Sequence, residues 1–318
     1  MKRNIYSYSK LWMISFVLMG AACTNQVEDA IPVSGQPIEF SVQSDWKEIP
    51  NTRLNDVNGT MTFTEGDQIQ IFGFHTSYPN GVETVQKFMY REPNKGQIVK
   101  FYGTNWNYSP KRFWPKEGTL EFYASYPQNS IYYEADNHTM IYEQTPNSMK
   151  QDDLLWGISN KYTCASEDRK KNVDITMKHA LAKVNISIDN SWGGIGTVIV
   201  SAYKTGTFSP TLEGSIPDWQ VDDKTEITAV FGYNDLIRNN SGTSVTVYIL
   251  PGKITGFQMF DDHNPGNRID ASTEISNRIK NLKFDAGKEY NLKISSTGVQ
   301  KKNTNSRSIA MSVRCVSE

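Results

Sequence analysis

Three thiols, four imidazoles and a scatter of carboxylates are the groups in this chain with chemistry to offer. One thiol has a context that dictates its use. Cys23 directly follows Leu18-Met19-Gly20-Ala21-Ala22, which ends in the small residues a signal peptidase accepts, and a thiol in that position is the group that becomes diacylated. The pattern resembles a lipobox and departs from it at Gly20, where an aliphatic residue such as Leu is usual. Upstream, Lys2, Arg3 and Lys10 give a basic leader, and Leu11 to Ala22 is almost wholly apolar. About a dozen apolar residues cannot cross a hydrocarbon core that needs roughly 20 in a helix. Residues 1–22 therefore read as a bacterial lipoprotein signal peptide, with Cys23 as the lipidated residue. Thr24 to Ala30 follows as a short polar, acidic tether, and Thr24 rather than Asp beside the cysteine fits delivery to the outer membrane.

The other reactive groups lack the company that chemistry requires. His75, His138, His179 and His263 fall in no metal pattern such as His-Glu-x-x-His, so each reads as structural or exposed. Asp261, Asp262, His263, Asn264, Asn267 and Asp270 form one cluster of oxygen ligands, but without the spacing and terminal Glu of a calcium loop it reads as a solvated turn. Gly193-Gly194-Ile195-Gly196 lies among strands instead of opening a helix, so a hairpin turn is expected there in place of a phosphate cradle. Cys164 and Cys315 are too few for a disulfide framework or a zinc site; they are either inert small thiols or a single pair formed in an oxidising envelope. No cofactor, metal or catalytic constellation emerges, and an enzyme is not expected. Trp106-Asn107-Tyr108 and Phe113-Trp114-Pro115 offer either a sugar-stacking platform or ordinary core and edge packing.

The elements behind these groups are strands. A formal net charge of -1 excludes the basic footprint of a nucleic-acid binder. Beyond the leader the chain is long enough for two domains of about 150 residues each. Aromatic residues make up 12% of it and sit in short segments of alternating polarity, punctuated by Gly, Pro, Asn and Asp, which is the pattern of an all-β sandwich. Period-two segments run through Ile38, Phe40 and Val42; Ile69, Ile71 and Phe74; Leu120, Phe122 and Ala124; and Val245, Val247 and Ile249. Val173, Ile175 and Met177 alternate before His179, and Val184, Ile186 and Ile188 alternate after it, so two strands meet between His179 and Lys183 and a domain boundary is expected there. One helix candidate, Ser272 to Leu282, is allowed one or two turns.

Taken in order, several segments resemble the fimbrillin family, the Mfa-like type V pilins of anaerobic gut and oral bacteria. They are Ile38-Glu39-Phe40 followed by Asn51-Thr52-Arg53, Phe63-Thr64-Glu65-Gly66-Asp67-Gln68-Ile69, and Phe122-Tyr123-Ala124-Ser125-Tyr126-Pro127. Asp152 to Gly157, Met177-Lys178-His179-Ala180-Leu181-Ala182-Lys183-Val184 and Phe284 to Ile294 continue the series across nearly the whole mature chain. The His-Ala-Leu-Ala-Lys-Val and Ala-Gly-Lys-Glu-Tyr-Asn-Leu elements carry most weight.

The resemblance implies two tandem transthyretin-like Greek-key β-sandwich domains, here residues 54–180 and 181–296, after a lipidated propeptide, 23–53, that includes the first strand. It also implies an outer-membrane lipoprotein at the cell surface whose partners are other fimbrial subunits, self or related. In the family an Arg-specific protease cuts after the first strand, which matches Arg53 and leaves Leu54 as the new N-terminus. The displaced strand would carry Ile38, Phe40 and Val42, and its groove would demand a replacement. After a polar linker from Lys301 to Ser306, the tail 297–318 places Ile309, Met311, Val313 and Cys315 on one alternating row. That row is either a donor strand or a last strand folding back on its own domain. The remaining alternative for the whole chain is a monomeric surface adhesin, tethered by Cys23, that binds a glycan or host ligand.

Overall fold

Alternation decides this fold, because each buried stripe of Val, Ile and Phe needs a pleated ribbon with one face turned inward. Leu120, Phe122 and Ala124 are fully buried along the strand Thr119–Tyr126, as are Val184 and Ile186 along Ala182–Asp189 and Val247 and Ile249 along Gly242–Ile249. The computed structural model describes residues 31–44, 55–57, 60–91, 94–134, 139–165, 167–210, 216–262, 268–269, 272–296, 298–303 and 313–314. The chain is all-β in architecture, with several sheets and few helical turns. No helix among the described residues is long and apolar enough to cross a membrane.

The first large sheet has ten strands, with the main order Phe40–Ser44, Val173–His179, Leu155–Ser159, Thr119–Tyr126, Gln68–Ser77, Lys95–Phe101 and Tyr90–Arg91. Its pairings are antiparallel except the first, where Phe40–Ser44 lies parallel to Val173–His179. One face buries a core that includes Ile38, Phe40, Ile71, Phe122, Trp114 and Ile175. Downstream, a six-stranded sheet ordered Ile237–Asn239, Gly242–Ile249, Ala182–Asp189, Glu289–Ser295, Gly298–Asn303 and Val313–Arg314 faces a three-stranded sheet of Glu226–Phe231, Ile195–Tyr203 and Ile254–Asp261. Val184, Ile186 and Leu292 from the larger sheet and Val198, Val200 and Phe257 from the smaller fill one sandwich core.

A four-stranded sheet joins the two halves. Its order is Ile131–Glu134, Thr139–Glu143, Thr205–Phe208 and Gln220–Val221, so strands from either side of His179 share one ladder between Thr139–Glu143 and Thr205–Phe208. A third apolar cluster packs around that sheet, with Phe72, Tyr133 and Trp156 from one half against Phe208, Trp219 and Leu250 from the other. The buried Gln144 side chain donates to the carbonyl of Tyr248 at 2.6 Å, and the Trp219 indole donates to that of Ala180 at 2.7 Å. His179 and Asp153, both buried, pair through Nδ1 and Oδ2 in the same region.

Several expectations need correction. Phe74 does not share a face with Ile69 and Ile71: with a period of two it falls on the side of Phe72, where it meets Tyr90, Tyr123 and Tyr133. Gly73 takes the inward place instead, where a Cβ would stand 3.2 Å from the ring of the core residue Phe122. Gly193 does adopt a positive φ of 76°, but the segment is a crossover and no hairpin, because Ala182–Asp189 and Ile195–Tyr203 belong to different sheets. The start of the expected polar linker is a strand: Gly298–Asn303 pairs antiparallel with Glu289–Ser295, and the Lys301 ammonium lies over the rings of Phe284 and Tyr290. Besides the helix Ser272–Lys280 there is a short one, Pro146–Gln151, started by Pro at its first turn and a reciprocal Thr145–Ser148 cap.

Candidate functional site: the seat of the first strand

Cys164 is buried, and burial pushes its thiol up to about 12, which keeps it protonated and unreactive. The buried His75 contacts the Glu117 carbonyl at 2.9 Å. Trp106, Tyr108 and Trp114 are buried and Phe113 is only marginally exposed, so these aromatics pack the core and its rim and offer no sugar platform. Asp261 and Asp262 are described, whereas His138, His263, Asn264, Asn267 and Asp270 lie outside the described residues, as do Cys23, Arg53, Leu54, Ile309, Met311 and Cys315.

What the fold does assemble is a seat for residues 31–44. The ladder sets Phe40 beside Val173, Val42 beside Ile175 and Ser44 beside Met177, and the Val173 amide donates to the Glu39 carbonyl at 2.8 Å. Just upstream, Val33–Pro37 pairs antiparallel with Phe113–Pro115, so the segment bridges two partners. At the change of partner the Ile38 amide donates to the Arg112 carbonyl at 2.9 Å, and the Tyr108 hydroxyl donates to the Ile38 carbonyl at 2.9 Å. Burial drives the Tyr108 phenol well above its ordinary pKa, so it remains a donor. Lys111 reaches Glu39 at 3.0 Å on the rim while lying over the Tyr108 ring.

Ile38, Phe40 and Val42 are 0%, 4% and 8% exposed, so all three side chains seal the core. Phe40 packs against Tyr108 and edge-on against Phe122. Burial of this kind is worth about 1.5–3 kcal/mol per side chain. The backbone, in contrast, is held lightly: among the described residues Phe40–Ser44 is an edge strand with a single ladder, of the parallel kind that is slightly weaker per residue. The other half shows what a fixed strand looks like. There Ala182–Asp189 also runs parallel to a late strand, Glu289–Ser295, but it carries a second ladder to Gly242–Ile249 and is interior.

The alternation in the sequence marks Ile38, Phe40 and Val42 but not Tyr108, Lys111 and Arg112, which hold the segment from the opposite side. Their signal is faint. Tyr108 and Lys111 flank Ser109-Pro110, a turn dipeptide, and nothing in their local pattern shows that residues 70 positions upstream lie against them.

The model of the fimbrillin-like family matches residues 52–310. The chain belongs to the fimbrillin-like family. Membership implies a protein associated with fimbriae at the cell surface. Among solved structures, this fimbrillin-like chain is similar to a candidate cell adhesion protein from Bacteroides uniformis, with 17% identity, a TM-score of 0.51, and coverage of 84% of this chain and 96% of that one. It is also similar to the fimbrial anchor protein Mfa2 from Porphyromonas gingivalis, at 9% identity and a TM-score of 0.37, covering 85% and 98% of the two chains. A fimbrial assembly protein from Parabacteroides distasonis matches at 11% identity and a TM-score of 0.35, over 78% and 92%. The first of these likenesses bears on the fold alone. No curated protein matches the sequence.

Proposed function

We propose that this chain is a structural or anchor subunit of a cell-surface fimbria, exported as a lipoprotein on Cys23 and assembled by strand exchange at the seat of residues 31–44. In this reading the chain folds as two tandem transthyretin-like Greek-key sandwiches, 54–180 and 181–296. A cut after Arg53 leaves the first strand held by non-covalent contacts only, and the lipid departs with it. A strand from another fimbrial subunit then fills the groove, while the tail 297–318, with Ile309, Met311, Val313 and Cys315, serves as the strand this subunit donates. The protein acts by assembly and holds no active site.

One observation carries the reading: Phe40–Ser44 fills the core with its side chains yet is joined to the sheet by a single edge ladder. An element placed that way leaves a deep apolar groove and an open ladder when it goes, which is the geometry that strand addition needs. The backbone of Val313–Arg314 lies on Gly298–Asn303, at the outer edge of the second sheet, from which a tail strand can peel with the loss of a two-residue pairing. A monomeric adhesin that stacks a glycan on Trp106 and Trp114 loses its platform, because both indoles are buried.

The test is Arg53→Ala. Secretion and folding should persist while end-to-end oligomers on a non-boiled gel disappear; ladders identical to those of the wild type would refute strand exchange triggered at Arg53.

A further inference from the structure

At its rim the seat meets the segment through an ion pair between Lys111 and Glu39. Lys111 stands on one side, its ammonium 4.8 Å from the centre of the Tyr108 ring. The resident strand answers with one carboxylate, Glu39, whose two oxygens lie 3.0 and 3.2 Å from the Lys111 ammonium. Glu39 alternates with Ile38 and Phe40, so its side chain points away from the core that those two fill. When residues 31–44 leave, Lys111 loses that carboxylate at the mouth of an apolar groove.

A strand that replaces the segment meets this positive rim at the position between its first two core residues. The chain's own tail is poorly suited to it. Between Ile309, Met311, Val313 and Cys315 stand Ala310, Ser312 and Arg314, so no two neighbours of that row have an acid between them, and Val313 and Cys315 have a cation. We propose that Lys111 selects a donor strand that carries Asp or Glu between its leading apolar residues, so that the incoming subunit is a different protein and not a second copy of this chain. The inference rests on the strand-exchange reading. The apolar row supplies most of the affinity, and the rim charge sets the choice among donors that all fill the groove.

The experiment uses the full chain recovered from cells and cut with an arginine-specific protease until mass spectrometry shows the segment ending at Arg53 removed. Fluorescein-labelled peptides are then titrated: residues 36–44, the same peptide with Glu39→Lys, residues 308–316, and that tail peptide with Ala310→Glu. Exposed pairs of this kind are modest, so reversal of the charge should weaken binding roughly tenfold at low salt, a difference that shrinks as salt rises. The Ala310→Glu tail should bind more tightly than the natural tail. In the Lys111→Glu protein the order of the natural 36–44 peptide and its Glu39→Lys variant should reverse, which a defect in folding cannot do. Equal binding of the two 36–44 peptides to both proteins would overturn the charge selection while leaving the seat intact. Failure of every peptide to bind would instead overturn the strand-exchange reading, and the selection with it.

Discussion

Phe40 sets its ring edge-on to that of Phe122, the centroids 5.3 Å apart and the planes at 86°. Through this contact an edge strand reaches the middle of a ten-stranded sheet, since Phe122 lies on Thr119–Tyr126, three places away in the strand order. The strand is thus fastened by its side chains more than by its backbone. An element of that kind can be exchanged for another with the same apolar row.

Truncating the anchor measures how much of the hold it supplies. Phe40→Ala should lower the stability of the intact chain by about 3 kcal/mol, the low end for a buried Phe because an edge strand can shift to close part of the cavity. Gln43→Ala, at an exposed position of the same strand, should stay within about 0.5 kcal/mol of the wild type. Urea unfolding followed by tryptophan emission reads both. Equal effects at the two positions would show that the ladder and not the core row holds the strand.

The joined halves predict how the molecule unfolds. Phe208 lies between Trp156 and Trp219, each centroid 4.8 Å away, within a cluster to which both halves contribute. Calorimetry of the wild-type chain should give one transition. Phe208→Ala should cost about 3–5 kcal/mol at the junction and split that transition in two. Two transitions already present in the wild type would mean that the shared sheet does not couple the halves.

Burial of phenols predicts behaviour in alkali. Tyr108, Tyr123, Tyr142 and Tyr248 all have pKa values raised above the ordinary 10.0, with burial as the main cause. In the unfolded chain these groups lose their protons near pH 10.0, whereas in the folded chain they keep them, so the folded state binds more protons above that pH. The stability they contribute is fully present below pH 10.0 and is lost as the pH climbs toward their folded values. The melting temperature should stay level on this account up to about pH 9.5 and then fall, and Tyr108→Phe with Tyr248→Phe should flatten the fall. A slope unchanged in the double variant would assign the loss to other groups.

The pattern of residues shows much of this molecule and hides a particular part of it. Leu120, Phe122 and Ala124, or Val184, Ile186 and Ile188, announce their strands because each strand has one dry face, and alternation is a local property. The all-β class and the meeting of two strands near His179 follow from such runs. Phe74 escapes the pattern because its strand is buried on both faces, so that apolar residues stand at consecutive positions and the phase is lost. The shared sheet is hidden for another reason. Thr139–Glu143 and Thr205–Phe208 are short, and their pairing spans more than 60 residues with no local mark. Lys301 reads as a linker residue by type, yet its ammonium rests on two aromatic rings, an arrangement that only the fold reveals. At the seat, Ile38, Phe40 and Val42 are visible as a row, while the groups that hold the strand from across the groove, Tyr108, Lys111 and Arg112, are not.

Strand exchange at this seat requires residues 31–44 to leave the protein during assembly, and the mass of the assembled subunit shows whether they do. Intact-mass and N-terminal analysis of the chain recovered from fimbriae should find Leu54 as its first residue, with neither lipid nor residues 31–44 present. A fimbrial subunit that begins at a diacylated Cys23 and retains Ile38, Phe40 and Val42 would contradict strand exchange at this seat and make the lipid a permanent tether.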